Sequence, residues 1–368
     1  MADAQKSMEY FYAHLFVLSP EIRALFPFAM DDVRARVFQA LARLIWSLDS
    51  PQYCAAYLQQ LGKDHRKFGV REKHHQAFFD ALLVTVEHFS GIDWTAQTKA
   101  AWETALDYAK AEMVAAASAD AGRQPGWWVG EIVRHDRRTD SIAVLTIRPD
   151  QPLSYAAGQY LSVQVMRWPR VWRNFSVANA PRLSGLLDLH VRAVPGGMVS
   201  NALVHHVGAG DTVLLGQARG EMTVPDPPLR DLVCVAGGTG LAPIKAIIES
   251  VTGATSYGPR RNITAFVGAR RPEDLYDMRD LRVLQSAYRS LVVIPVVSDD
   301  PAFEGTKGLL PDIVSRHASL ESSDVFICGP DDMVRETERV LAGRVPADRI
   351  HRDSLDAARG SGRQELSR

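Results

Sequence analysis

At 368 residues, with 46% hydrophobic and 23% charged side chains, the chain has the length and apolar content for two or three domains with separate cores, and is neither disordered nor fibrous. Its 42 Lys and Arg against 43 Asp and Glu leave a net charge of −1, which excludes the basic surplus a dedicated nucleic-acid binder sets against phosphates. Cys54, Cys234 and Cys328 lie too far apart in sequence for a disulfide framework or a zinc or iron–sulfur site, no apolar run reaches the roughly 20 residues of a membrane span, and the N-terminus lacks the apolar stretch of a signal peptide. The expectation is therefore a cytoplasmic protein that does not use the membrane.

Residues 1–120 read as helical. Val33, Val37, Leu41, Leu44 and Leu48 recur at helical spacing, and Leu58, Leu61, His65 and Phe68 trace a second helix that Gly69 can end. Phe78, Leu82, Leu83 and Val86 mark a third, and Thr98 to Ala117 an Ala-rich fourth. Ala121-Gly122-Arg123-Gln124-Pro125-Gly126 has the composition of a linker. Residues 127–228 then alternate apolar with polar, around Ile142, Val144 and Ile147, from Tyr160 to Val165 and from Leu187 to Arg192, as in a small antiparallel barrel or sandwich ending near Pro225-Asp226-Pro227-Pro228. Residues 229–356 carry continuous apolar runs (Leu232 to Ala236, Ile263 to Val267, Leu291 to Val297, Val325 to Cys328) separated by helical stretches, the rhythm of a doubly wound α/β parallel sheet. Residues 357–368 form a polar tail.

Three groups of residues carry chemistry. Gly237-Gly238-Thr239-Gly240-Leu241-Ala242-Pro243 follows a buried strand and opens a helix, where glycines bring backbone N–H groups close to a phosphate and Pro243 suits the first turn. A plain strand–helix turn fits the same residues, and Cys328-Gly329-Pro330 at the last buried strand's end also reads as a core cysteine before a turn. In the middle block, Arg173-Asn174-Phe175-Ser176 offers a pyrophosphate partner, a ring to stack on a flat cofactor and a hydroxyl for a ring nitrogen. Gly196 and Gly197, with Val199 and Ser200, read as a glycine turn into a short helix capped by Ser200, a second anion nest. In the helical block, His65 lies on an apolar face, where a core histidine and a metal ligand are both open. The pairs His74-His75 and His205-His206 have no third ligand at sensible spacing and read as surface histidines.

Taken in order, the glycine turn, the Cys-Gly-Pro end, Arg173 to Ser176, Gly196 to Ser200 and Gly158-Gln159-Tyr160 resemble the ferredoxin-NADP reductase superfamily. That resemblance implies FAD on the barrel held by Arg173, Phe175, Ser176, Gly158, Gln159, Tyr160, Gly196, Gly197, Val199 and Ser200, with Phe175 where the family has tyrosine. It implies NADH or NADPH at Gly237, Gly238, Thr239, Gly240, Pro243, Cys328, Gly329 and Pro330, and a C-terminal segment around Asp353 closing over the flavin. Gly268-Ala269-Arg270-Arg271 leaves the choice of nucleotide open.

Upstream, Phe11-Tyr12-Ala13-His14-Leu15-Phe16, then Ser19 to Pro27 with Phe26, then Lys63 to Val70 around His65, resemble the globin part of the flavohaemoglobins, whose domain order the whole chain repeats. The resemblance implies haem b on His65 as proximal iron ligand, Tyr12 donating to the iron-bound ligand, Phe26 against the porphyrin, and a monomeric enzyme turning nitric oxide and O2 into nitrate. The departures are the family's missing first helix, Val33 in place of the distal Gln, His75 in place of a proximal Tyr, and no match for the proximal Glu, Glu112 being nearest. The alternatives are a haem or ferric-iron reductase, and an oxygen or redox sensor.

Overall fold

A computed structural model describes residues 2–46, 50–224, 230–254 and 261–352; Leu48, Pro225 to Pro228 and Asp353 of the sequence reading lie outside them. The chain divides into two compact units at Trp127 and Trp128.

The first unit holds five α-helices among the described residues: α1 (Ala2–Leu18), α2 (Asp31–Trp46), α3 (Pro51–His65), α4 (Glu72–Ser90) and α5 (Ala96–Ala121). Phe11, Tyr12, Leu15, Leu58, Phe79 and Leu82 form its core, each buried apolar side chain worth about 1.5–3 kcal/mol of transfer free energy. α1 packs on α4 and α3 on α5. The second crossing requires glycine, because a Cβ on Gly62 would lie 2.2 Å from the Met113 carbonyl oxygen. Boundaries follow local chemistry. Pro51 opens α3, Thr95 caps α5 by accepting from the Thr98 N–H at 3.1 Å, and α3 ends at His65 in a 3-10 turn (Arg66–Phe68) that Gly69 closes at φ +76°.

The second unit opens with a six-stranded antiparallel barrel: β1 (Trp128–Arg137), β2 (Ile142–Pro149), β3 (Tyr160–Val165), β4 (Arg173–Ser176), β5 (Leu187–Arg192) and β6 (Thr212–Arg219), with α6 (Met198–His205) before β6. The order is β4-β3-β6-β1-β2-β5, and a Val177–Leu189 bridge draws the two edges together. Leu145, Ile147, Leu161, Val163, Leu187, Leu189 and Val191 fill the interior. A period of two therefore sends Asp188, His190 and Arg192 to the outer face of β5.

A parallel sheet follows: β7 (Leu232–Gly237), α7 (Leu241–Ala254), β8 (Ile263–Ala269), α8 (Met278–Ala287), β9 (Leu291–Val297), β10 (Thr306–Lys307), α9 (Leu310–Ser315), β11 (Asp324–Cys328), α10 (Asp331–Leu341) and β12 (Ile350–His351). The strand order is β10-β9-β8-β7-β11-β12. One apolar cluster takes in α7 and α8 residues such as Ile244, Ile247 and Leu281; another takes in α9 and α10 residues such as Val314, Val334 and Leu341. The chain leaves β7 for β8 on one side and returns to β11 on the other, so the ends of β7 and β11 form the switch point where open α/β sheets bind ligands.

Candidate functional site

In the first unit, His65 sits at the C-terminal end of α3 and is largely buried. Its Nδ1 lies 2.7 Å from the Leu61 carbonyl oxygen. Donation to that carbonyl leaves the Nε2 lone pair unspent, and burial holds the ring's pKa below the ordinary histidine value, which favours the neutral form a metal ligand needs. Tyr12 is 2% exposed, and its hydroxyl is buried without a hydrogen-bond partner. Burial pushes that phenol's pKa upward, so it stays a proton donor. Phe26 meets the Tyr12 ring edge-on at 5.6 Å. A free imidazole nitrogen on His65 and the orphaned buried hydroxyl of Tyr12 would suit a haem, the first as a ligand to its iron and the second as a donor to a bound molecule.

The proximal surroundings depart from the sequence reading in one respect. His74 and His75 are buried, not at the surface, because α4 packs against both α1 and α5 and so buries a wide sector. His74 Nδ1 accepts from the Arg71 backbone N–H at 3.1 Å, and the His75 ring lies 6.2 Å from that of His65. Burial, with the charges of His65 and His74, pushes the His75 pKa down to about 4. His205 and His206 are exposed, as expected. Glu112 accepts from Gln59 Nε2 at 2.8 Å on an exposed face, so the second partner of His65 is a backbone carbonyl and not a carboxylate.

In the barrel, Arg173 to Ser176 form β4, all half-buried. Phe175 packs partly on the barrel core, and the Ser176 hydroxyl has no partner among the described residues. Arg173 Nη1 donates to the Trp172 carbonyl at 2.9 Å. Gly158 has φ +96°, and a Cβ there would lie 1.9 Å from the Met222 carbonyl oxygen. Gln159 accepts from the Ala156 N–H at 2.9 Å and donates to the Gly220 carbonyl at 3.1 Å, and Tyr160 is buried. These three residues brace the start of β3. Gly197, not Ser200, is the N-cap of α6. Ser200 stands inside the first turn, where its Oγ donates to the Gly197 carbonyl and accepts from the Val194 N–H, a hydrogen-bonded hydroxyl that holds the glycine turn shut. Val199 is core. Gly196, at φ +72°, faces open space, so the N-terminus of α6 is accessible to an anion. The unspent Ser176 hydroxyl and this open turn fit a flavin and its pyrophosphate.

At the switch point the glycines pack backbone on backbone. A Cβ on Gly240 would lie 2.3 Å from the Cys328 carbonyl oxygen, and one on Gly329 would lie 3.1 Å from Gly237 Cα. Gly237 is closed in by Met333 and Pro330. Thr239 lies within the 3-10 turn Gly238–Gly240, and Pro243 in the first turn of α7. The sequence reading missed Arg192. From the outer face of β5 it brings Nη2 to 3.6 Å from the Cβ direction of Gly238, whose φ is +56°, with Asp274 at 3.8 Å as its acidic neighbour. Strand alternation placed Arg192 outward; what lies opposite depended on the second domain. Among the described residues, no helix is long and apolar enough to cross a membrane, and no group of three or more His, Cys, Asp or Glu could hold a metal ion.

Comparison with known proteins agrees with this geometry. Residues 9–113 match the globin family model, residues 131–223 an oxidoreductase FAD-binding domain and residues 234–339 an oxidoreductase NAD-binding domain. A xylene/toluene monooxygenase electron transfer component from Pseudomonas putida is 32% identical over 218 residues, 58% of this chain and 61% of that protein, so the chain spans about three fifths of its length. The ferredoxin–NAD(P)+ reductase component of a naphthalene 1,2-dioxygenase/salicylate 5-hydroxylase system from Ralstonia is 32% identical over 61% of this chain and 68% of its own. In fold, a flavohaemoglobin from Malassezia yamatoensis, solved with FAD and haem, superposes with a TM-score of 0.76 at 16% identity, over 95% of this chain and 94% of that one. The three domains take haem, FAD and a nicotinamide dinucleotide respectively. The chain therefore belongs to the FAD- and NAD-binding oxidoreductases that include the ferredoxin–NAD(P)+ reductase components, and with its leading globin domain it has the domain order and fold of a flavohaemoglobin.

Proposed function

We propose that the chain is an NAD(P)H-dependent flavohaemoprotein that passes electrons from FAD to globin haem and converts nitric oxide and O2 to nitrate. When bound, FAD would supply a ring that takes one hydride, and so two electrons, and can give them up singly, and haem would supply an iron able to accept them one at a time. The protein's part is positional. Gly237 to Gly240, with Arg192 above Gly238, receive the nucleotide phosphates; Phe175 and Ser176 orient the flavin ring; His65 offers Nε2 to the iron; and Tyr12 keeps a proton on a hydroxyl that has no partner of its own. That orphaned Tyr12 donor carries the reading, since a buried hydroxyl left unsatisfied costs about 1–3 kcal/mol unless a ligand completes it. Tyr12→Phe is expected to slow nitric oxide consumption while NAD(P)H still reduces the flavin at the wild-type rate. Unchanged consumption removes Tyr12 from the mechanism.

One observation favours a second reading, a haem or ferric-iron reductase. His65 hydrogen-bonds a neutral carbonyl, which gives the iron less electron push than a carboxylate partner would. Mixing the oxygenated protein with nitric oxide separates the two: stoichiometric nitrate supports the dioxygenase, and little nitrate supports the reductase.

A further inference from the structure

We propose that His190 and Tyr276 are positioning residues for nucleotide binding: the hydrogen bond between them sets where Arg192 stands against the glycine turn Gly237 to Gly240. This rests on the assignment of that turn and of Arg192 to the nucleotide phosphates. Two rungs cross from the outer face of β5 to the segment between β8 and α8. His190 Nδ1 lies 2.8 Å from the Tyr276 hydroxyl, with the rings edge to face at 5.4 Å. Two residues on, about 7 Å along the same face of the strand, Arg192 Nη2 meets Asp274 at 3.8 Å. This second rung is loose. Its side chains are 38% and 30% exposed, and so long and wet an ion pair fixes little. His190 is 4% exposed, so the first rung is the one that holds the strand to the segment.

The first rung also belongs to a closed circuit. Tyr276 is followed by Asp277, which is fully buried and accepts from Lys245 Nζ at 2.7 Å. Lys245 stands just over one turn into α7, the helix that the glycine turn opens. Within that turn Gly238 faces Arg192, whose Nη2 lies 3.6 Å from the place of a Cβ. The circuit runs from β5 through Tyr276, Asp277, Lys245, α7 and Gly238 back to β5, so a change at the His190–Tyr276 bond moves the guanidinium relative to the turn. Burial keeps the Tyr276 phenol protonated, which makes it the donor and His190 Nδ1 the acceptor. Nε2 then carries the ring proton and is buried with no acceptor. A leucine would pack here without that uncompensated polar group; what the histidine adds is the bond to Tyr276.

The test uses the full chain loaded with FAD, with ferricyanide as electron acceptor and whichever of NADH and NADPH it oxidises faster. Tyr276→Phe keeps the ring contact without the hydroxyl and is expected to raise KM about fivefold while kcat per bound flavin changes less than about twofold; His190→Leu is expected to do the same. His190→Asn, whose Oδ1 can stand where Nδ1 does, is expected to stay within about twofold of the wild-type KM. Tyr276→Phe combined with Arg192→Gln is expected to have no higher KM than Arg192→Gln alone, because the bond acts through that guanidinium. A KM unchanged in both Tyr276→Phe and His190→Leu, whatever happens to kcat, marks a structural contact and overturns the proposal. So does a double variant whose rise in KM is the product of the two single rises, or a His190→Asn variant no better than His190→Leu; all three leave the nucleotide site in place. A KM unchanged in Arg192→Gln itself overturns the assignment of Arg192 to the nucleotide and the proposal with it.

Discussion

Gly240 has no room for a methyl group. Its Cβ position lies 2.3 Å from the Cys328 carbonyl oxygen and 2.6 Å from the Gly329 nitrogen, and both neighbours are backbone, so neither can swing aside. Gly240→Ala is expected to push β7 and β11 apart at the switch point, cost about 1–3 kcal/mol of stability and slow flavin reduction by NAD(P)H at least tenfold, with FAD still bound, as stopped-flow bleaching of the flavin would report. Arg192 acts on the same turn from the opposite side. Arg192→Gln removes the cation nearest Gly238 and is expected to raise the KM for NAD(P)H about tenfold with little change in kcat, as loss of a charge-assisted contact made equally in ground and transition states does. The two residues differ in how far the sequence revealed them. The glycine turn was legible because its spacing after a buried strand has a local physical meaning. Arg192 was not, because its partner lies in another domain and nothing within reach of it along the chain names that partner.

At the scale of elements, helical periodicity located α2 to α5, and apolar runs located β7, β8, β9 and β11, since each reports the face or faces a segment buries. The strands β1 and β6 were not singled out, and neither were the two-residue strands β10 and β12, which are too short to carry a pattern. The surface reading of His74 and His75, made because no third ligand lay at sensible spacing, failed because α1 and α5 both pack on α4. A tie between elements was equally invisible. Arg66, the residue after His65, pairs with the buried Asp120 near the end of α5 and donates to the Gln124 carbonyl at 2.7 Å, and Gln124 in turn donates to Asp120 at 3.0 Å. The turn that carries His65 is thereby fastened to the end of the unit's last helix. Asp120→Ala strands a guanidinium that is 13% exposed and is expected to cost about 3–5 kcal/mol, the penalty of an uncompensated buried charge. Urea unfolding of the haem-loaded protein followed at the Soret band measures it; a loss under 1 kcal/mol places the strength of that corner in its apolar packing instead.

Across the larger unit, the barrel and the parallel sheet keep separate apolar cores, and polar pairs join them. Arg138, just past β1, reaches Asp280 of α8 at 3.2 Å, and Arg182 bridges Asp188 of β5 and Glu249 of α7 at 2.8 and 3.4 Å; on the sheet side, Lys245 of α7 meets Asp277 at 2.7 Å and Asp280 at 3.3 Å. Within the same junction, His190 Nδ1 lies 2.8 Å from the Tyr276 hydroxyl, and its Nε2 is buried without a partner. Burial holds the His190 pKa well below 6.5; the charges of Lys245 and Arg138 add to that, and Asp280 opposes it. The unfolded chain therefore takes up a proton at this position, near pH 6.5, that the folded chain refuses. Because the unfolded state binds more protons, the contribution of His190 is complete above about pH 6.5 and declines as the pH falls below it. Asp277 titrates with the opposite sign, since burial raises its pKa, but it does so from the carboxylate range, so a decline beginning at pH 6.5 belongs to histidine. Thermal release of FAD, followed by flavin fluorescence, is expected to shift to lower temperature between pH 7.5 and 5.5 in the wild-type protein. His190→Gln, which keeps a hydrogen bond to Tyr276 without a titrating ring, should flatten that slope. A slope that persists undiminished in the variant assigns the pH dependence to His317 or His351, the other described histidines of this unit whose pKa burial lowers.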